Sequence, residues 1–481
     1  MIQDLREFLA GCREIGEVKD IDGADWDQEI GALTEATAEL IEQPPALLFD
    51  RIQGYPAGYR VFGLPVASYR RIAVALGIDP EKPKMEVLRL ASRRMNEAQA
   101  KPLPPREVAS GPVMQNVLKG GDIDLLRFPV PRYHASDGGR YMGTGDSLIN
   151  RDPESGFINM GTYRQQVHGP DLLGLWMSPG QHGRQICQRH WDRGEACPVV
   201  ATYGTEPAIF FPSHTALTWG VCELDIAGGL RGAPVEVIPG PITGLPIPAH
   251  AEIAIEGEVP PPNVEAADEG PFGEWPGYYS GGTRGTGEPQ PVIRVKALYH
   301  RDEPIIMSQP PLWPGAPEMG LDFKAALLWD QLESAGIQDV AGVWVHSRYL
   351  IVVAIKQRYA GHAKQTGMAI LGLNAIARNG RLVVIVDEDI DPSDLKEVVW
   401  AMETRVDPAR DIEIVDNCWS TPLDPRMSPE RRAAKDHTNS RAIFYAIRPF
   451  TWKDRFPQVS RSPRELRRQV LDKFGDVILR P

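Results

Sequence analysis

The chain has 481 residues, too long for one ordinary core, so two or three domains are expected. Its 42% hydrophobic and 24% charged residues are those of a globular protein, and no run approaches the ~20 apolar residues of a membrane helix. With 52 Lys and Arg against 64 Asp and Glu, the net charge of -12 argues against a nucleic-acid partner.

The opening Met1-Ile2-Gln3-Asp4-Leu5-Arg6 carries an acid and no apolar signal core, so the expectation is no export and a cytoplasmic location. Five cysteines, Cys12, Cys187, Cys197, Cys222 and Cys418, have no C-x-x-C spacing and are odd in number. They are expected to be small apolar fillers rather than a disulfide framework or zinc cluster.

In chain order, apolar periodicity predicts a helix over 25–40, a strand at Ala46–Asp50, and a helix opened by the cap residue Ser68. Lys101-Pro102-Leu103-Pro104-Pro105 cannot continue a helix or central strand and places a boundary near residue 110. From about 125 to 310 the texture is β-rich, with short runs such as Ala208-Ile209-Phe210-Phe211, Pro234-Val235-Glu236-Val237-Ile238 and Val292-Ile293-Arg294-Val295 between Gly and Pro; a barrel or sandwich follows. Beyond Pro317, strands at 349–355, 382–386 and 412–415 alternate with helices over 362–378 and 392–404, implying βαβ units and a buried parallel sheet. A charged amphipathic helix over 462–474 ends the pattern.

Three constellations carry chemistry. The loop Glu269-Gly270-Pro271-Phe272-Gly273-Glu274 sets two carboxylates five residues apart. On a strand these positions face opposite ways, so only a turn, which Pro271 and Gly273 permit, brings both acids to one site. Two close acids have their pKa values pushed apart, which suits a proton donor beside a permanent anion; a solvated surface turn has the same residues. Asn159-Met160-Gly161-Thr162-Tyr163-Arg164 offers a guanidinium that can pair bidentately with a substrate carboxylate or with one of those glutamates, or simply form a surface ion pair. His182, in Ser178-Pro179-Gly180-Gln181-His182-Gly183, and Glu223 form with the Asn159 carbonyl oxygen an N/O set without thiolate. Such a set suits Mg2+ or Mn2+ and a phosphate oxygen, the alternative being a hydrogen-bonded structural histidine. No phosphate loop is present, and Gly281-Gly282-Thr283-Arg284-Gly285 lacks the strand-to-helix setting of a dinucleotide fingerprint.

Four motifs in order, NMGTYRQQVHG from Asn159, EGPFGEWPGYY from Glu269, YAGHAK from Tyr359 and TRVDPARD from Thr404, resemble the UbiD family of prenylated-flavin-dependent decarboxylases, a likeness running over about 110–440. The resemblance implies an α/β (α+β) fold: an N-terminal α/β region (1–110), a split β-barrel that binds prenylated FMN (111–315), a C-terminal α/β dimerisation domain (316–460) and a C-terminal helix (461–481). The site is then expected in the cleft between the last two domains. It further implies that Asn159, His182 and Glu223 hold Mn2+ (or Mg2+) against the flavin phosphate, with K+ alongside. Arg164, Glu269 and Glu274 would form the catalytic network, Glu274 donating the proton. Gly161, Thr162, Tyr163, Gln181, Ser213, His214 and Thr215 would line the cofactor, and Lys364 would reach it from the C-terminal domain. The implied chemistry is covalent catalysis in which the flavin takes up electrons as CO2 departs.

By the same resemblance the reaction is a reversible, non-oxidative decarboxylation, a UbiX-type flavin prenyltransferase supplies the cofactor, and the chain forms a homodimer or hexamer. Ser178, Trp275, the loop 309–319 and Thr421-Pro422-Leu423 would shape the pocket, Trp275 narrowing it, stacking on a flat ring or simply packing in the core. An aromatic or heteroaromatic acid, hydroxybenzoate-like or a ring dicarboxylate, is the first expectation, ahead of a polyprenylated one; an acrylic-type acid such as a cinnamate is the second. Two readings of other classes are an FMN-dependent oxidoreductase on a split barrel and a non-catalytic binding subunit. The complete Arg164, Glu269 and Glu274 set argues against the latter.

Overall fold

The computed structural model describes residues 2–178, 180–215, 217–279, 289–312, 321–462 and 464–478. Pro179, the 281–285 fragment and residues 313–319 of the expected pocket loop lie outside them.

The N-terminal sheet orders Val18–Asp22, Ala46–Asp50, Arg60–Gly63 and Ile305–Ser308. Its fourth strand pairs in parallel with Arg60–Gly63 and comes from the far end of the central segment, so this layer is completed across the sequence rather than within residues 1–110. The helix expected from 25 runs as Glu29–Leu40, because Gln28 at φ 74° breaks the helical path before it. Ser68 caps Tyr69–Ala75, its side chain accepting from the Arg70 N–H at 3.2 Å. Helix Lys84–Ala100 then stops at the proline-dense stretch.

The central sheet has ten strands among the described residues. Along its main path Arg140–Gly143 is followed by Arg164–Val167, Leu172–Trp176, Gln290–His300, Ile253–Val259, Cys197–Tyr203, Asp146–Arg151 and Ile158–Gly161. Gly161 ends the last strand and Arg164 begins the second, six strand spacings away. Laid flat, those strands would stand roughly 29 Å apart, whereas the three-residue step from 161 to 164 spans at most about 11 Å. The sheet therefore curls until its ends meet, and Thr162-Tyr163 bridges the seam. One expected strand is a helix instead. Ala208-Ile209-Phe210-Phe211 lies in helix Pro207–Ser213, with Pro207 at its first turn and every residue buried. Proline favours a helix N-terminus, and burial on all sides suits an apolar run in either conformation.

In the C-terminal sheet Leu350–Ile355, Leu382–Asp387 and Thr438–Ala446 run parallel at the centre. Val340–Ser347 and Ile412–Trp419 flank them antiparallel. The crossovers carry His362–Gly372 and Leu395–Arg405, the latter capped by Asp394, and Arg464–Ile478 forms the tail helix. Among the described residues no helix is long and apolar enough to cross a membrane.

Beneath the seam lies Asp146, 1% exposed. Its Oδ2 accepts from Gln165 Nε2 at 2.7 Å and from the Tyr163 N–H at 3.4 Å, while Oδ1 is buried with no partner. Burial pushes its pKa from 3.8 to about 8. Between those values the folded chain binds a proton that the unfolded chain has lost, so stability falls as pH rises through the window. Asp146→Asn should flatten that fall; comparing urea midpoints at pH 5 and 8 for both proteins checks it, and an undiminished difference would show that Asp146 does not hold the proton.

Candidate active site

Arg164 opens its strand directly opposite Trp176 in the antiparallel register. The guanidinium lies over that ring, 4.8 Å from its centroid, and 4.4 Å from the Phe272 centroid. Its Nε and Nη2 donate to the two oxygens of Glu269 at 2.6 and 2.8 Å, and Nη1 donates to Glu274 Oε1 at 2.5 Å. Exposure of the three side chains is only 8%, 5% and 6%, so this is no surface ion pair and the acids occupy no solvated turn. Burial alone would lower the Arg164 pKa, but the Glu274 and Glu269 charges outweigh it and hold the guanidinium protonated. The two glutamates are held unequally: Glu269 by a bidentate fork, Glu274 through one oxygen.

Backbone proximity pins the acidic loop. The Gly138 N–H donates to Pro271 O at 2.7 Å, and a Cβ on Gly138 would stand 2.2 Å from Gly270 Cα, so neither position has room for a side chain. The Gly273 N–H donates to Asp137 Oδ1 at 3.3 Å, and Phe272 packs on Tyr141 with ring centroids 4.4 Å apart. A turn closes behind Glu274, whose N–H donates to Tyr278 O at 3.0 Å. Trp275 rests on Tyr349 at 4.9 Å with the Arg348 guanidinium 4.8 Å from its ring, joining the loop to the C-terminal domain.

The residues proposed for a metal and a phosphate gather on the strand Ile158–Gly161 and two helix starts. Asn159 donates through Nδ2 to Asn150 Oδ1 at 3.1 Å, which commits the amide nitrogen and leaves Oδ1 as the ligand atom. His182 begins helix His182–Trp191, and burial lowers its pKa, keeping the imidazole neutral as a ligand must be. Glu223 begins helix Glu223–Arg231; its Oε2 accepts from the Met160 N–H at 2.8 Å, and burial pushes its pKa up to about 8. Among the described residues no Lys, Arg or His forms an ion pair with it. Neither helix start is capped by a side chain. Two open N-termini, an uncompensated buried carboxylate, a neutral imidazole and an amide oxygen fit a divalent cation and a phosphate. The described residues hold no group of three or more His, Cys, Asp or Glu suited to a metal, and the set here has only two such residues plus the amide.

Tyr163 fills the corner between these parts. Its hydroxyl accepts from the Gly183 N–H at 3.0 Å, and a Cβ on Gly161 or Gly183 would meet that oxygen at 2.5 or 2.6 Å. Thr162 Oγ1 donates to Asp146 O at 2.9 Å and lies 3.1 Å from Ser213 Oγ. Next to Ser213, burial first and then the Lys324 and Arg348 charges push the His214 pKa down, while Thr215 Oγ1 donates to Phe211 O at 2.8 Å. Gln181 Oε1 accepts from the Ser178 N–H at 2.8 Å. Thr421 is buried and accepts from the Leu423 N–H at 3.2 Å.

Lys364, expected to reach the cofactor, lies on the C-terminal domain in an ion pair. Its exposed Nζ pairs with Glu413 Oε1 at 3.1 Å, because the first turn of His362–Gly372 directs it to the outer strand of the C-terminal sheet. Residues that the motifs did not single out include Trp176, Tyr141, Asp137 and Asp146, which support the cage by cross-strand register or by burial. No local motif marks any of them.

Comparison with known proteins accords with this geometry. Residues 9–91, 106–312 and 319–446 match the 3-octaprenyl-4-hydroxybenzoate carboxy-lyase N-terminal, Rift-related and C-terminal domains. A phenolic acid decarboxylase of Bacillus subtilis (strain 168) is 32% identical over 442 residues, 89% of this chain and 90% of that protein. A pyrrole-2-carboxylic acid decarboxylase of Pseudomonas aeruginosa is 30% identical, covering 98% of each. The UbiD-class enzyme HmfF from Pelotomaculum thermopropionicum, solved with FMN, superimposes with a TM-score of 0.82 at 30% identity over 96% of this chain and 98% of that one. An evolved dimeric form of the same enzyme, solved with prFMN, gives 0.79 at 29% identity over 96% and 97%. The chain belongs to the UbiD family of decarboxylases, the carboxy-lyases.

Proposed function

We propose that this protein removes CO2, reversibly and without net oxidation, from an aromatic or heteroaromatic acid, with prenylated FMN as cofactor and Glu274 as proton donor. The observation that carries the reading is one buried guanidinium gripping two carboxylates unequally. Arg164 locks Glu269 through both oxygens, while Glu274 keeps one oxygen outside the grip. That oxygen can carry a proton to the carbon that loses its carboxylate, and collect it again when the reaction runs backwards. Burial of the cage excludes bulk water from the transfer.

When bound, prenylated FMN would supply the electron sink for the departing CO2. Asn159 Oδ1, His182 and Glu223 would hold Mn2+ or Mg2+, with K+ beside it on family membership alone, and the open helix starts at His182 and Glu223 would face the phosphate. Gly161, Thr162, Tyr163, Gln181 and the Ser213-His214-Thr215 turn would line the ring system. A ring substrate rather than an acrylic-type acid is favoured by the flat surfaces of Trp275 and Tyr349 beside Glu274 and by the aromatic substrates in the relatives' names. A UbiX-type prenyltransferase would supply the cofactor in the cytoplasm. Leu466, Val470 and Phe474, exposed on the tail helix, offer an apolar stripe for a homodimer or hexamer.

Glu274→Gln should keep its flavin and metal yet lose turnover by about 100-fold or more, together with solvent proton exchange at the product carbon; near-normal CO2 release in a coupled assay would remove Glu274 from this role. His182→Ala should purify with little metal and little flavin absorbance while its circular dichroism stays unchanged. Full metal and flavin content in that variant would sink the anchoring assignment.

A further inference from the structure

Asn150 lies on the strand Asp146–Arg151, directly across from Asn159 in the antiparallel register, and both residues are buried. Its Nδ2 donates to the Gly183 carbonyl oxygen at 3.0 Å, and its Oδ1 accepts from Asn159 Nδ2 at 3.1 Å. The Cys187 and Cys197 sulfurs, 3.7 and 3.9 Å from Nδ2, add weak acceptors on the same side. Gly183 directly follows His182, and its own N–H donates to the Tyr163 hydroxyl at 3.0 Å. One enclosed side chain therefore joins the strand of Asn159 to the helix start of His182, two of the three residues proposed as ligands of a divalent cation.

The two ends of a side-chain amide are alike in size and opposite in chemistry, so hydrogen-bond partners alone decide which end faces where. Here the decision starts from an atom with no choice, because a backbone carbonyl only accepts. Gly183 O takes the Asn150 amino group, which leaves the Asn150 oxygen facing Asn159. That oxygen takes the Asn159 amino group in turn, and Asn159 Oδ1 is left to face outward. Turning over either amide alone would set acceptor against acceptor inside the fold and leave buried polar groups unpaired. We infer that Asn150 is a positioning residue for the metal site: it relays the acceptor-only character of Gly183 O to Asn159, so that residue 159 presents oxygen rather than nitrogen to a hard cation. The inference rests on the reading of Asn159, His182 and Glu223 as ligands and goes beyond it by naming what orients them.

The test titrates Mn2+ into the full chain with FMN present and reads free Mn2+ by electron paramagnetic resonance, so no turnover is required. Asn150→Leu, which keeps the volume, and Asn150→Ala, which does not, should each weaken Mn2+ binding about tenfold or more. Should Asn150→Leu lose its native circular dichroism, Asn150→Ala carries the comparison. Asn150→Asp still offers an oxygen to Asn159 Nδ2 and should keep most of the affinity. Asn159→Asp presents oxygen whichever way it turns, so adding Asn150→Leu or Asn150→Ala to it should cost much less than adding either to the unaltered chain. Unchanged affinity in the Leu and Ala variants would overturn the relay, and so would an equal loss beside Asn159 and beside Asn159→Asp, which marks a merely structural role. If His182→Ala abolishes Mn2+ binding while the Asn150 variants bind normally, only the relay fails; if His182→Ala binds as the unaltered chain does, the ligand reading fails and takes the relay with it.

Discussion

A positive charge enclosed between two carboxyl groups and against two aromatic rings is the constraint around which the rest of the molecule is arranged. Burying three charges is unfavourable unless geometry and hydrogen bonds compensate, and breaking such a group by removing one partner typically costs ~3–5 kcal/mol. Arg164 meets the condition with three charge-assisted hydrogen bonds and cation–π contact to Trp176 and Phe272. The assembly is buried, and its asymmetry leaves Glu269 held through both oxygens and Glu274 through one.

Three parts of the fold converge to hold that charge in place. Curling of the central sheet brings its two ends together, so that Asn159 and the cage residue Arg164, five positions apart in sequence, lie on opposite sides of one seam. The close approach of Gly138 and Gly270 fixes the acidic loop against this seam, and the contact of Trp275 with Tyr349 fixes the C-terminal domain against the loop. Trp275, next to Glu274, thus meets the C-terminal domain through both Tyr349 and Arg348.

Electrostatics is partitioned with the same economy. The Glu223 carboxyl is buried without a cation among the described residues, so burial favours its protonated form, and the cage sets one guanidinium against two carboxyl groups. The exposed ion pair of Lys364 with Glu413 belongs to none of these fields and serves the outer face of the C-terminal sheet.

The sequence by itself determined the elements whose signals are local. Ala46–Asp50 is a strand, Ser68 caps a helix, and strands and helices alternate beyond Pro317, though Ile412–Trp419, expected in a parallel sheet, pairs antiparallel, because periodicity, capping and Gly/Pro punctuation act over a few neighbours while strand direction does not. Its motifs also identified the family, and in Glu269 and Glu274 they marked two acids that only a turn can unite. Tertiary structure alone decided which conformation an apolar run adopts, making Ala208–Phe211 helical, and which strand completes the first sheet, recruiting Ile305–Ser308 from 245 residues downstream of its partner. It alone turned Lys364 outward and set Trp176 beneath Arg164. Those outcomes depend on surfaces distant in sequence that meet only when the sheet closes and the domains pack, and no local propensity encodes such a meeting.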